Sequence, residues 1–208
     1  MRTAIRVILF IVIVVLSYYL YQSIMEPIRF NREKKIREKA AIERLKAIRK
    51  AEVAYKTKYG KYTGSFDTLI HFVKYDSFPI IKAIGSIPDS LYGLITDEEA
   101  IKKGIIIRDT SYIPVIDTLF GRNFPIDSLR YVPYCDTAQF FLDAGVIETA
   151  SKVKVPVFEA HVLNDVLLHG LNKQLIINYN AEREKIVGFP GLKVGSLTEA
   201  TNNAGNWE

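Results

Sequence analysis

The sequence predicts an α+β protein: a long N-terminal helix, transmembrane and then amphipathic, followed by an antiparallel β-sheet head with short inserted helices. Three observations predict it. Residues 7–25 (VILFIVIVVLSYYLYQSIM) are 19 residues without a charge. Residues 29–59 contain neither glycine nor proline and are rich in Ala, Glu, Lys, Arg and Ile. Beyond residue 105, β-branched runs and closely spaced turn residues replace the helical period.

The apolar run makes about 28 Å of helix, the thickness of a bilayer's hydrocarbon core. Arg2 and Arg6 precede it, and Tyr18, Tyr19 and Tyr21 sit near its far end, where aromatic rings favour the headgroup zone. A cleavable signal peptide is the competing reading. The run is long for one, and no A-x-A-like site follows, so residues 1–26 read as a retained anchor. The lipid bilayer is therefore an expected partner. What remains suffices for one well-packed domain, a head over residues 61–208 with a polar C-terminal tail. Net charge is +5, concentrated between residues 29 and 61, and the near-balanced remainder gives no reason to expect a nucleic-acid partner. The single cysteine, Cys135, excludes an intramolecular disulfide framework and a cysteine-based zinc cage.

Pro27 either kinks a continuous helix or opens a new one. From it, residues 27–60 read as one amphipathic helix of roughly 45 Å. Ala41, Leu45, Ile48, Tyr55 and Tyr59 recur at spacings of three, four or seven and form one stripe. Glu33 with Arg37, and Glu52 with Lys56, are i,i+4 pairs. Gly60 occupies the expected C-cap, with Lys56 and Lys58 in the last turn facing the negative end of the helix dipole. The stripe either serves a solvated or coiled-coil stalk or packs on the chain's own head.

Residues 51–69 (AEVAYKTKYGKYTGSFDTL) favour packing. An apolar N-terminal helix, a nearby proline, an amphipathic continuation and a Tyr-Gly-Lys-Tyr turn together resemble the first 75 or so residues of type IV pilins and type II secretion pseudopilins. The resemblance implies a helix that assembles into a filament core, an antiparallel β head outside it, and self-assembly or other protein subunits as partners. It also implies a single-pass protein of the bacterial inner membrane with a periplasmic head. Precursors of that family carry a glycine at the processing site and a glutamate inside the apolar helix. Here no glycine precedes residue 60 and residues 1–25 contain no acid, so cleavage and charge pairing have no residues to rest on.

In the head, Ser65 caps a short helix through Lys74, and Thr96 to Glu99 form a capping box for a helix ending at Gly104. Strands are expected from Ile105 to Phe120 with a break at Pro114, and over residues 130–134. Residues 139–148 and 152–159 form a hairpin around 149–151. Asn164 caps a short helix to His169, and residues 174–178 and 185–188 form a second hairpin across 180–182. Leu192 and Val194 make a last apolar patch before a polar tail that holds the only tryptophan, Trp207. That tail either frays or docks on a neighbouring subunit.

No catalytic, metal or cofactor signature is legible. His161 and His169 are eight apart, outside the i,i+4 metal spacing, and no HExxH, Walker loop or GxGxxG is present. Gly-x-Ser-like fragments at Gly85-Ser86 and Gly195-Ser196 lack the nucleophile-elbow pattern. Were a site assembled from distant residues, Cys135 with His161 or His169 would be its best members. The adjacent Phe140 and Phe141 point to opposite faces of a strand, one ring for the core and one exposed. The expected function is thus a non-enzymatic, pseudopilin-like structural subunit of an envelope assembly, without cofactor. The alternative is a non-filamentous periplasmic adaptor of an inner-membrane or secretion complex. The residues expected to carry contacts are Ala41, Leu45, Ile48, Tyr55, Tyr59 and Trp207. Arg29, Arg32, Lys34, Lys35, Arg37, Lys39 and Arg44 follow the anchor, and by the positive-inside rule they favour a cytoplasmic head, against the pilin-like arrangement.

Overall fold

The structure, a computed structural model, describes residues 2–85, 88, 96–105, 107–149 and 151–208. Ser86, Ile106 and Ala150, which belong to a Gly-x-Ser fragment, an expected strand start and an expected turn, lie outside the described residues. One helix, α1, runs unbroken over Arg2–Tyr59 with Pro27 inside it. A proline there leaves one carbonyl a turn earlier without its helical donor, yet the helix continues on both sides. α1 is long and apolar enough in its first part to cross a membrane, and residues 5–24 are all exposed.

The chain divides into two compact units, Met1–Arg49 with Arg130–Glu208, and Lys50–Leu129. The first holds a three-stranded antiparallel sheet in the order β3 (Phe141–Glu148), β4 (Lys154–Leu163), β5 (Gly191–Gly195). The hairpin expected around residues 149–151 is present, with Leu142 opposite Ala160 and Val162 opposite Leu192. Alternation puts Leu142, Phe158, Ala160, Val162, Leu192 and Val194 in the core. Phe140 is buried and Phe141 exposed, as their adjacency requires. Ala41, Leu45 and Ile48 of α1 are fully buried, so the stripe is a packing face. Helix α1 is tied to its unit by polar contacts. Arg37 donates to the carbonyls of Leu167 and His169 at 3.2 and 2.8 Å, and the Tyr179 hydroxyl donates to Glu38 at 2.5 Å.

Two expectations fail in this unit. Residues 174–188 are not a hairpin but helix α6, Lys173–Val187. The Asn172 side chain accepts the Leu175 N–H at 3.1 Å as N-cap, Gly188 closes the other end with φ of 67°, and residues 181–185 (AEREK) are helix formers. Residues 130–134 are not a strand. A 3-10 turn spans Ile126–Arg130, a single bridge joins Tyr131 to Gln139, and Tyr134 has φ of 64°, which no ladder accommodates. The short helix after Asn164 is α5, Asn164–Leu167. Leu163 occupies its N-cap position without a side-chain cap, and the Asn164 side chain donates to Asn180 instead.

The second unit contains the end of α1, then α2 (Phe66–Tyr75), β1 (Ser77–Ile84), α3 (Asp97–Lys102), β2 (Ile107–Pro114) and α4 (Val115–Leu119). The capping box on α3 forms as its sequence predicts. Phe72 of α2 is the centre of an aromatic cluster, edge-on to Tyr55 at 5.2 Å, Tyr59 at 5.9 Å and Phe78 at 6.2 Å. Strand β1 is not among the expected elements, and residues 115–119 are helical where a strand is expected. Pro114 ends the pairing, and the Val115 N–H turns to the Asp76 carbonyl.

Neither expected i,i+4 ion pair on α1 forms among the described residues. Arg37 is committed to carbonyls, and Lys56 lies 4.8 Å from the Tyr62 ring. Glu52 is buried, one oxygen accepting the Thr63 N–H at 3.0 Å.

Candidate functional site

Three places on the described residues gather chemistry or recognition potential. The first is the β1–β2 ribbon. The two strands pair antiparallel over eight residues each, with Ile84 opposite Ile107 and Lys82 opposite Asp109. Every residue of β2 is exposed. Phe78 and Ile113 begin one face, and Phe78 reaches the Phe72 cluster. Further along that face Ile80, Ile84 and Ile107 stand in solvent, 45 to 60% exposed. Tyr112, on the opposite face, is 69% exposed. A two-stranded ribbon is marginal in water, and isolated exposed isoleucines in register are an unusual use of a strand. Each strand also has one edge without a strand partner among the described residues. Pro79 removes a backbone donor from the free edge of β1, and Pro114 removes one at the end of β2.

The second is a cleft of about 330 Å³ lined by residues that include Cys135, Asp165, Val166 and His169. The fold thus brings Cys135 and His169 to one cavity. The thiol is not set up as a nucleophile. Its Sγ–H donates to the Val166 carbonyl at 3.1 Å, and burial raises its pKa, the nearby Arg37 charge opposing only in part. Asp165 accepts from Asn180 at 3.0 Å, so it orients a side-chain amide rather than a histidine.

The third lies on the outer face of the β3–β4–β5 sheet and contains His161, which is not in the cleft. Its ring stacks on Phe141 at 4.5 Å and meets Phe189 edge-on at 5.1 Å. Nδ1 is 2.9 Å from Glu159, and Glu159 also accepts the Leu197 N–H and faces Lys193 at 3.8 Å. The Glu159 contact fastens the segment after β5 to the sheet. Among the described residues no group of three His, Cys, Asp or Glu is placed to hold a metal ion.

The contact residues expected from the sequence separate by role. Ala41, Leu45, Ile48 and Tyr55 are core. Tyr59 is 47% exposed and donates its hydroxyl to Asp76 at 2.6 Å. Trp207 is half-buried within its own chain, on a tail that neither frays nor extends. Gly205 bridges Val194, the Asn206 N–H donates to the Lys193 carbonyl at 2.9 Å, and Glu208 pairs with Arg49 at 2.8 Å. The ribbon isoleucines are not among the expected contact residues. Ile80, Lys82 and Ile84 share a face by strand period alone, but only pairing with β2 sets Ile107 beside Ile84. No protein-family model, curated protein or solved structure matches the chain.

Proposed function

We propose that this chain is a membrane-anchored, non-catalytic adaptor, held in a bilayer by the first part of α1 and recruiting another protein subunit through the β1–β2 ribbon. The observation that carries this reading is that Ile80, Ile84 and Ile107 are exposed on one face of the ribbon, with the Lys82–Asp109 pair between them. A partner that packs an apolar surface there, or adds a strand to the β2 edge, would stabilise a ribbon that has few contacts of its own. The retained helix supplies location and the head supplies recognition.

A second reading, a pilin-like filament subunit, is supported by the division of α1 into an exposed apolar part and a part whose Ala41, Leu45 and Ile48 are buried. In a filament the apolar parts bury against one another. The two readings separate by photo-crosslinking in the native membrane. A crosslinker at residue 107 yields an adduct with one different protein, lost in the I84D variant, if the adaptor reading holds. A crosslinker at residue 13 yields a ladder of this chain alone, and helical polymers appear on imaging, if the filament reading holds. Absence of any adduct from residue 107 refutes the adaptor reading.

A further inference from the structure

The cations that follow the apolar run divide into two sets. Those facing the head are engaged. Lys34 lies 4.0 Å from the Tyr179 ring, and Arg37 binds two carbonyls. Those facing away are not. Arg29, Arg32, Lys35 and Lys39 are exposed and make no ion pair or hydrogen bond among the described residues. Of the nearby acids, Glu26 accepts from Asn172 at 2.5 Å and Glu38 from Tyr179, while Glu33 is half-buried. The Glu26 contact also fixes the level of α6. It brings the start of α6, with exposed Lys173, beside the end of the apolar run.

At this level α1 carries a groove of about 270 Å³, lined by Tyr18, Tyr21, Gln22, Met25, Glu26 and Arg29. The spacing of three, four and seven places these residues on one helix face. Towards the N-terminus that face is apolar. Its far end offers two phenol hydroxyls, an amide, a guanidinium and the Glu26 carboxylate, which Asn172 engages. Arg29 and Arg32 lie about 6 and 10 Å beyond Met25 along the axis. That is within or near a Debye length of a surface at the end of the apolar run.

We propose that this face is a binding site for the headgroup of an anionic phospholipid, with Arg29 and Arg32 on the phosphate, the groove on the glycerol region and the apolar face along the acyl chains. The inference rests on the membrane-anchored reading. Charge complementarity selects the ligand: unpaired cations begin where a bilayer's phosphates would lie, and a cation near an anionic surface is worth roughly a fivefold factor. A soluble phosphate would have no use for the apolar continuation.

The test uses the full-length protein in phosphatidylcholine vesicles, with spin-labelled phosphatidylglycerol and phosphatidylcholine compared by electron spin resonance. Association is expected to be several-fold stronger for phosphatidylglycerol, with the preference lost in R29Q/R32Q and kept in K39Q, whose charge lies about 20 Å beyond Met25. All three side chains are exposed, so melting curves are expected to coincide. Equal association of the two lipids overturns the proposal, as does a preference that survives R29Q/R32Q or vanishes equally in K39Q. Replacing chloride by inorganic phosphate at constant ionic strength is expected to change nothing. Displacement of the labelled lipid would identify a free-anion site and overturn it too. Flotation of the same vesicles separates the two readings: protein that fails to float refutes the anchor, and protein that floats without lipid preference refutes only the headgroup site.

Discussion

Glu52 and Thr63 are joined inside the second unit by a buried hydrogen bond, the Thr63 N–H donating to Glu52 Oε2 at 3.0 Å. The other carboxyl oxygen has no partner among the described residues. Burial pushes the Glu52 pKa up to about 8, the Thr63 bond opposing it. The folded state therefore holds this proton at a pH where the unfolded chain has released it. Stability is complete below the unfolded pKa, near 4.5, and falls as pH rises towards 8. The loss is on the order of 4 kcal/mol across that window. E52Q is expected to flatten the pH dependence and to raise the melting temperature at pH 8.5 more than at pH 5. Parallel curves for the two proteins would show that Glu52 ionises freely.

Leu45 is fully buried on the packed face of α1. L45D places an unpaired carboxylate there and is expected to cost several kcal/mol, whereas L45M keeps the volume and costs under about 1.5 kcal/mol. Thermal denaturation followed by circular dichroism in detergent checks both. An unchanged melting temperature for L45D would mean that the helix stands away from its unit.

The C-terminal tail is held chiefly by backbone pairing and by the indole. A Cβ on Gly205 would overlap the Trp207 ring, so G205A is expected to release the tail and expose Trp207, read as a red shift of its fluorescence. The Arg49–Glu208 pair is part-exposed, so E208Q is expected to cost less than about 1 kcal/mol and to leave the emission unchanged.

Cys135 is expected to react slowly with a maleimide at pH 7, because its thiol is half-buried, bonded to a carbonyl and raised in pKa, and to react quickly once the protein is unfolded. Its labelling is therefore a poor reporter of topology. The exposed Glu199, as E199C in a C135S background, reports it directly: labelling in intact spheroplasts by an impermeant maleimide means an outward head, and protection until lysis means a cytoplasmic one.

The long helix, the apolar run and the α3 capping box are legible in the sequence alone, because each depends on neighbours within a few residues. So is the β3–β4 hairpin, whose strands are separated only by a short turn. The stripe Ala41, Leu45, Ile48 is legible as a face, since helical period alone determines which side chains share one. What covers that face is not. Helix α6 is also written locally, in Asn172 and Gly188, but the apolar pairs at either end imitate strands.

Tertiary structure decided the rest. Glu52 and Lys56 have the spacing of a surface pair, and only folding the Tyr62–Thr63 turn back over α1 makes one of them buried and the other a partner of a ring. Strand β1 exists because β2 lies beside it, and the exposed row of isoleucines because of the register between them. Cys135 and His169 meet in one cleft through contacts more than thirty residues apart in sequence, while His161 lies elsewhere, between Phe141, Phe189 and Glu159 on the sheet. Local period determines where elements begin and which residues share a face. Burial, ion pairing and the company a side chain keeps depend on chain segments distant in sequence, and these only the fold brings together.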